Sequence, residues 1–437
     1  MSQSALGAGP TTTSMTSFAN VKPPSIFQFT DNTRELVNKA RVADLLAAIA
    51  TSDDPSTVKL SNKSFDSEAA RLIADKISQF NNVSVADISD IIAGRPEEDA
   101  LKTLQIISDS FKRDRLVEVN VSDNALGSKG VEACKNLFMA PHLEKLYICN
   151  NGMASESAEL IAKLLLGNCG KITLIHIFNN MSGDGGAIAY SSIVKECKLL
   201  TNLRFSGTRS QKAGCLAMAQ AISSLKSLQI LDLSDNMFKE DAANVLINGL
   251  QLQNQLIILN LRDAGLGNKG VISLIDSINI APFSPILKLL DLSGNDMNSK
   301  AAQKMASTFT YLKSLEDLFL DDNEIGTEGA SKLALNIAQL DSLASMSICT
   351  NEITAAGAFV LIKALSNIKS FKLIKIDGNS ICDRGVEEIR GLFARAGKLI
   401  ADMEDNDEDG DDDLDDVLDE QDKDDAGDDL VAAMENL

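Results

Sequence analysis

The side chains of this chain that are spaced for chemistry are amides and carboxylates. Asp123, Asn150, Asn179, Asp235, Asp263 and Asp322 each stand directly before a recurring asparagine position. A row of such groups along one edge supplies hydrogen-bond acceptors and amides rather than a nucleophile, and it suits a basic protein surface. Arg95 stands apart in IIAGRPEEDAL (91–101), where Pro96 stiffens the backbone and the acids that follow suit a helix N-terminus. It is expected either to pair with Glu97, Glu98 or a nearby Asp, or to contact a partner.

Other chemistry is sparse. There is no G-x-x-x-x-G-K-[ST] loop, so the chain is not expected to bind a nucleotide by itself, and GDGG (183–186) reads as a turn. His142 and His176 are the only histidines, too few for a multi-His zinc site, and each falls in or beside a strand pattern. The net charge of -21 argues against gripping phosphate backbones or anionic lipid, and the absence of Trp removes stacking platforms. Seven cysteines without a C-x-x-C pair read as reduced core thiols. No run approaches the roughly 18 apolar residues of a membrane span, and the opening residues lack the regions of a secretory signal. No cofactor, metal, nucleic acid or membrane insertion is expected.

What positions the edge residues is a repeat. LVEVNVSDNAL (116–126), LEKLYICNNGM (143–153), ITLIHIFNNMS (172–182), LTNLRFSGTRS (200–210), LQILDLSDNMF (228–238), LIILNLRDAGL (256–266), LKLLDLSGNDM (287–297), LEDLFLDDNEI (315–325), LASMSICTNEI (343–353) and FKLIKIDGNSI (371–381) share L-x-x-L-x-L-x-x-N-x-L. They start mostly 28 residues apart, with three extra residues near Ile280–Pro285. Each unit reads as strand, loop, then helix. Strands stack at roughly 4.8 Å and helices at roughly 8–10 Å, so the array must bend with its strands inside. The expected fold is an α/β leucine-rich repeat solenoid over 58–400, preceded by a disordered 1–57 with a short capping helix at 33–50 and followed by an acidic disordered tail, 401–437. Between Asp402 and Asp429 lie 18 acids against Lys423 alone, so about -17 of the charge belongs to the tail.

The consensus asparagines, Asn124, Asn151, Asn180, Asn236, Asn295, Asn323, Asn351 and Asn379, are expected to point inward and satisfy backbone groups of the turn. Thr208 and Ala264 replace them in two units. The residue before each is expected on the exposed ridge.

IIAGRPEEDAL, VSDNALGSKGVEA, LEKLYICNNGMASESA, FNNMSGDGGAIA and DLSDNMF, with the acidic tail, resemble the GTPase-activating proteins of the small GTPase Ran over about 58–400. The resemblance implies docking on GTP-bound Ran and stimulation of its hydrolysis in support of nucleocytoplasmic transport. The family leaves the chemistry to Ran and steadies its catalytic Gln with an amide from the crescent. That places the candidate at Asn150 or Asn151 in C-N-N-G, with exposure favouring Asn150. Arg95 matches the family's arginine and is expected to position the interface through acidic neighbours. The partner set implied is Ran-GTP, with a Ran-binding co-activator as a third component, engaged by a monomer.

The plant members' Trp-Pro-Pro domain is only echoed, by KPPS (22–25) and TRELV (33–37), and the compact arrangement resembles fungal members, so a cytoplasmic or perinuclear location is expected. The apolar spacing of Leu36–Ile49 fits a helix cap, with an export signal as the rival reading. An acidic leucine-rich histone chaperone or an inhibitor scaffold without GTPase activation is the alternative function.

Overall fold

In the computed structural model the residues described are 25–29, 33–49, 54–401, 403–407, 410 and 412–418. Of the stretch 1–57 expected to be disordered, residues 1–24, 30–32 and 50–53 fall outside them, as does most of the acidic run.

Among the described residues, fourteen parallel strands form one sheet in strict chain order from Ile26–Gln28 to Leu399–Ile400. Equivalent residues pair directly, for example Glu118 with Lys145, Lys145 with Leu174 and Leu174 with Asn202. Because a strand alternates its faces, the middle residues Val119, Leu146, Ile175, Leu203 and Leu231 are buried while their neighbours face the concave side. Helices such as Ser155–Leu165, Gly183–Glu196 and Lys212–Ser223 pack in succession on the other side. Each fully buried Leu or Ile is worth roughly 1.5–3 kcal/mol relative to exposure, and each unit depends on its neighbours for that burial. The step from Ile258 to Leu289 carries the extra residues and remains in register.

The asparagine ladder is continuous in most units. Asn124, Asn151, Asn180, Asn236, Asn295, Asn323, Asn351 and Asn379 are all buried. The backbone N–H of Asn124 donates to Asn151 Oδ1 at 2.9 Å, that of Asn151 to Asn180 Oδ1 at 3.1 Å, and that of Asn351 to Asn379 Oδ1 at 2.9 Å. Their Nδ2 groups donate to carbonyls of their own and the preceding turn, as Asn124 does to Val121 and Ile88. At the first of the two interrupted units, Thr208 Oγ1 donates to Asn236 Oδ1 at 2.8 Å and so keeps the ladder connected there.

Both ends of the array lie beyond the boundaries drawn from the repeat. Ile26–Gln28 pairs with Thr57–Lys59, and Lys39–Ala48 is the helix of that first unit, burying Val42 and Leu45. These strands lack the consensus, which is why the pattern missed them. Glu35–Val37 forms a separate two-stranded sheet with Lys63–Phe65. At the other end Asn406 Oδ1 accepts from the Asn379 N–H at 2.9 Å, extending the ladder into the acidic segment. Asp413 accepts from Thr354 Oγ1 at 2.5 Å and from the Ala356 N–H at 2.8 Å, closing the N-terminus of helix Ala355–Ser366. Leu414 and Val417 are buried, and Arg384 bridges Asp412 and Asp415. The first part of the acidic run is therefore a folded cap, because the last repeat has a core and helix N–H groups to cover.

Candidate functional site

The turn after each strand begins with a left-handed residue. Asp123 (φ 62), Asn150 (φ 53), Asn179 (φ 52), Asp235 (φ 53), Asp263 (φ 48) and Asp322 (φ 52) all adopt it, as do Asp90 (φ 52) and Thr350 (φ 53). Glycine adopts this conformation freely, and among L residues Asn and Asp pay least for it. The ridge is exposed as expected, but its composition is not free: the turn itself selects amides and carboxylates. Gly294 shows the second constraint, since a Cβ there would lie 1.9 Å from Asp263 Oδ1. Arg262 further occupies the ridge by pairing with Asp322 at 3.0 Å and Asp263 at 3.3 Å, so these two are not open carboxylates.

Near the N-terminal end the ridge opens into a cavity of about 980 Å³. Its lining brings together three of the sequence-derived residues, Arg95, Asp123 and Asn150, with Arg34, Glu97 and Lys129. Asn179 joins through a hydrogen bond; Asp235, Asp263 and Asp322 lie farther along the ridge and do not line it.

Asn150 is exposed and its amide is oriented at both ends. Its Nδ2 donates to Asp123 Oδ1 at 2.8 Å, and its Oδ1 accepts from Asn179 Nδ2 at 2.9 Å. Asn151, the other member of the pair, is wholly buried: its Nδ2 donates to the Val121 carbonyl at 3.1 Å and its Oδ1 serves the Asn124 N–H. As a ladder member it has no surface to offer a partner, which corrects its inclusion among contact residues.

Arg95 also departs from expectation. No carboxylate pairs with it among the described residues; Glu97 pairs with Lys129 instead, at 2.5 Å. The Arg95 Nε donates to Ser64 Oγ at 3.1 Å, and its Nη2 donates to the carbonyls of Val37 at 2.9 Å and Ser64 at 2.5 Å. It thus clasps the small Glu35–Val37/Lys63–Phe65 sheet to the crescent. Arg34, which the repeat pattern gave no reason to single out, pairs with Asp90 at 2.6 Å and lines the same cavity.

Farther along the concave face, Arg204 lies over the Phe178 ring at 3.9 Å and pairs with Asp232 at 3.0 Å. His176 stands edge-on to Tyr147 and meets Asn202 at 3.0 Å. Burial, its largest cause, holds the His176 pKa below the ordinary value, so the ring is neutral near pH 7. Burial likewise pushes the Asp291 carboxyl up. Among the described residues, no cluster of His, Cys, Asp and Glu has the arrangement of a metal site, and no helix is long and apolar enough to cross a membrane.

A Leucine Rich repeat family model matches residues 116–133, 284–306 and 311–334. The chain is 36% identical to RAN GTPase-activating protein 1 of Arabidopsis thaliana over 125 residues, covering 28% of this chain and 23% of that protein. It is 33% identical to RAN GTPase-activating protein 2 of the same plant over 126 residues, with the same coverage of each, 28% and 23%. The match thus spans under a quarter of either relative. Among solved structures, an internalin from Listeria monocytogenes aligns at 13% identity with a TM-score of 0.39, covering 79% of both chains. A leucine-rich repeat protein of Leptospira interrogans aligns at 16% with a TM-score of 0.36, covering 75% of this chain and 92% of that one.

Proposed function

From the likeness to Ran GTPase-activating proteins, we propose that this chain activates Ran: it docks on GTP-loaded Ran and steadies its catalytic Gln, holding no nucleotide of its own. The observation that carries the reading is the exposed, doubly oriented amide of Asn150. Asp123 fixes one N–H of Asn150 and Asn179 occupies one lone pair of its oxygen. A second N–H and a second lone pair of this exposed side chain are left unused by those bonds. A carboxamide is the complement of that pair, so a Gln side chain can donate to one and accept from the other.

Ras-type hydrolysis needs its attacking water oriented and charge on the transferring phosphoryl group stabilised, which full activation rewards with up to about 10⁵ in rate. An amide preset on a rigid turn acts on the first requirement, since the GTPase's Gln is restrained without reorganisation at the moment of reaction. Arg95 is not read as an inserted finger, because its Nε and Nη2 are held by Ser64 and Val37. The partner is Ran-GTP met by one copy of the chain, with a Ran-binding co-activator as a third component, and the setting is the cytoplasm.

The test is phosphate release from GTP-loaded Ran at sub-stoichiometric chain. Many turnovers per chain are expected; none at any ratio removes the proposal, and leaves the acidic scaffold reading.

A further inference from the structure

The segment 33–37 is held from one side and open on the other. Lys63, with no exposed surface, donates its ammonium to the Thr33 carbonyl at 2.5 Å and pairs with Glu35 at 3.0 Å. Val37 is buried and its carbonyl accepts from Arg95. Strand alternation then turns the intervening residues outward. The Arg34 side chain is 64% exposed and Leu36 is 65% exposed. Leu36 lies over Gly94, its Cδ2 3.9 Å from where a Cβ would stand on that glycine. A buried ammonium is costly unless fully satisfied, so Lys63 and Arg95 are an expensive way to hold a surface segment unless its outward face has work to do.

Arg34 leans on Asp90, which has the same left-handed turn conformation one unit before Asp123 and two before Asn150. With strands stacked at roughly 4.8 Å, its guanidinium stands on the order of 10 Å along the ridge from the Asn150 amide. One of its five N–H groups goes to Asp90, and the side chain, mostly exposed, lines the cavity. The exposed part of this planar fork suits a carboxylate acceptor, and Leu36 offers an apolar surface two residues along.

Resting on the Ran-activator reading, we infer that Arg34 and Leu36 form a docking contact for a carboxylate with an apolar neighbour on the GTPase surface, and that Arg95 is the positioning residue that presents them. This assigns Arg95 no contact with the nucleotide. Its loss acts through the segment it clasps.

The experiment is multiple-turnover hydrolysis by GTP-loaded Ran, titrated from below to above KM, with full-length Arg34→Ala, Arg34→Lys, Leu36→Ala, Arg95→Gln and the Arg34→Ala/Arg95→Gln pair, each checked by circular dichroism. Arg34→Ala and Leu36→Ala should raise KM roughly tenfold with kcat within twofold, as loss of a rim charge and an apolar contact does. Arg34→Lys should recover part of the KM, and the rise of KM with salt should be shallower in Arg34→Ala than in the wild type. Arg95→Gln should raise KM at least as far as Arg34→Ala with kcat within twofold, and the double variant should add nothing to Arg95→Gln. KM values within twofold of wild type for Arg34→Ala and Leu36→Ala overturn the docking contact while the activator reading stands. A kcat loss in Arg95→Gln that adds to Arg34→Ala overturns the positioning role. A wild-type chain that fails to stimulate Ran overturns both readings.

Discussion

Asn150 Nδ2 donates to Asp123 Oδ1 at 2.8 Å, although the two residues are 27 positions apart and both stand in the left-handed region. The bond joins equivalent positions of consecutive repeats, so the solenoid itself, rather than a local loop, decides which way the amide faces. It also gives Asp123 a task distinct from that of a free surface carboxylate.

Replacing the two adjacent asparagines should separate chemistry from folding. Asn150→Ala is expected to lower stimulation of Ran hydrolysis roughly 100-fold, on the scale of losing one preorganised donor, while an alanine in the left-handed turn costs only about 1 kcal/mol of stability. Asn151→Ala strands the Asn124 N–H in the interior and removes one of the two amide donors to the Val121 carbonyl, which keeps Asn124 Nδ2, costing about 1–3 kcal/mol for the unsatisfied N–H. Calorimetry and phosphate release on the same samples check both; equal melting temperatures for the two variants contradict the assignment.

Two truncations should behave differently. Removing 419–437 is expected to leave the melt intact and to weaken association with Ran in a salt-dependent manner. Removing 402–437 takes away Asn406, Asp413, Leu414 and Val417 and exposes the last repeat. Loss of the Asp413 cap alone costs about 1 kcal/mol, so the shorter chain should melt several degrees lower and exchange amides fastest around Ala355–Ser366. Superimposable melts would show the folded cap to be dispensable.

Tyr190 is buried among Leu146, Ile148, Ile161, Ile175 and Val194, and its hydroxyl has no hydrogen-bond partner among the described residues. Burial pushes its pKa far up. Tyr190→Phe removes an unsatisfied group without changing the ring, so stability should hold or rise by up to about 1 kcal/mol. A loss above that in urea unfolding would mean the hydroxyl has a partner in solution.

Acid should loosen the N-terminal segment first. The Arg41 hydrogen bond, foremost, and Lys63 hold the Glu35 carboxyl below its ordinary value of 4.5. A carboxyl depressed in the folded state adds stability above its unfolded pKa, and that contribution is lost as pH falls through the folded value. Hydrogen exchange over 33–37 should therefore gain an unfolding contribution below about pH 4.5, relative to the intrinsic exchange rate. Glu35→Gln should be less protected at pH 7 and lack that dependence.

Much of this was legible from the chain alone. The ladder positions Asn124 through Asn379 recur with the leucines, and burial of a turn's backbone groups leaves few other ways to satisfy them. The preference for Asn150 over Asn151 follows from the same periodicity. Arg95 was legible as a stiffly held cation but not in its partners: Val37 and Ser64 are 58 and 31 residues away, outside any repeat that could be counted. Asp413 was indistinguishable from its acidic neighbours until the open end of the last helix came to lie beside it.

A pattern repeated ten times declares its architecture, because each copy faces the same packing problem and solves it with the same residues. The chain by itself therefore determined the parallel-stranded solenoid, the buried asparagines and the row of polar turn residues. Only the tertiary structure decided that Arg34, Arg95, Asp123 and Asn150 share one cavity, and that Arg262 closes off Asp263 and Asp322. Those relationships are single contacts between units, and a contact made once leaves no period to read.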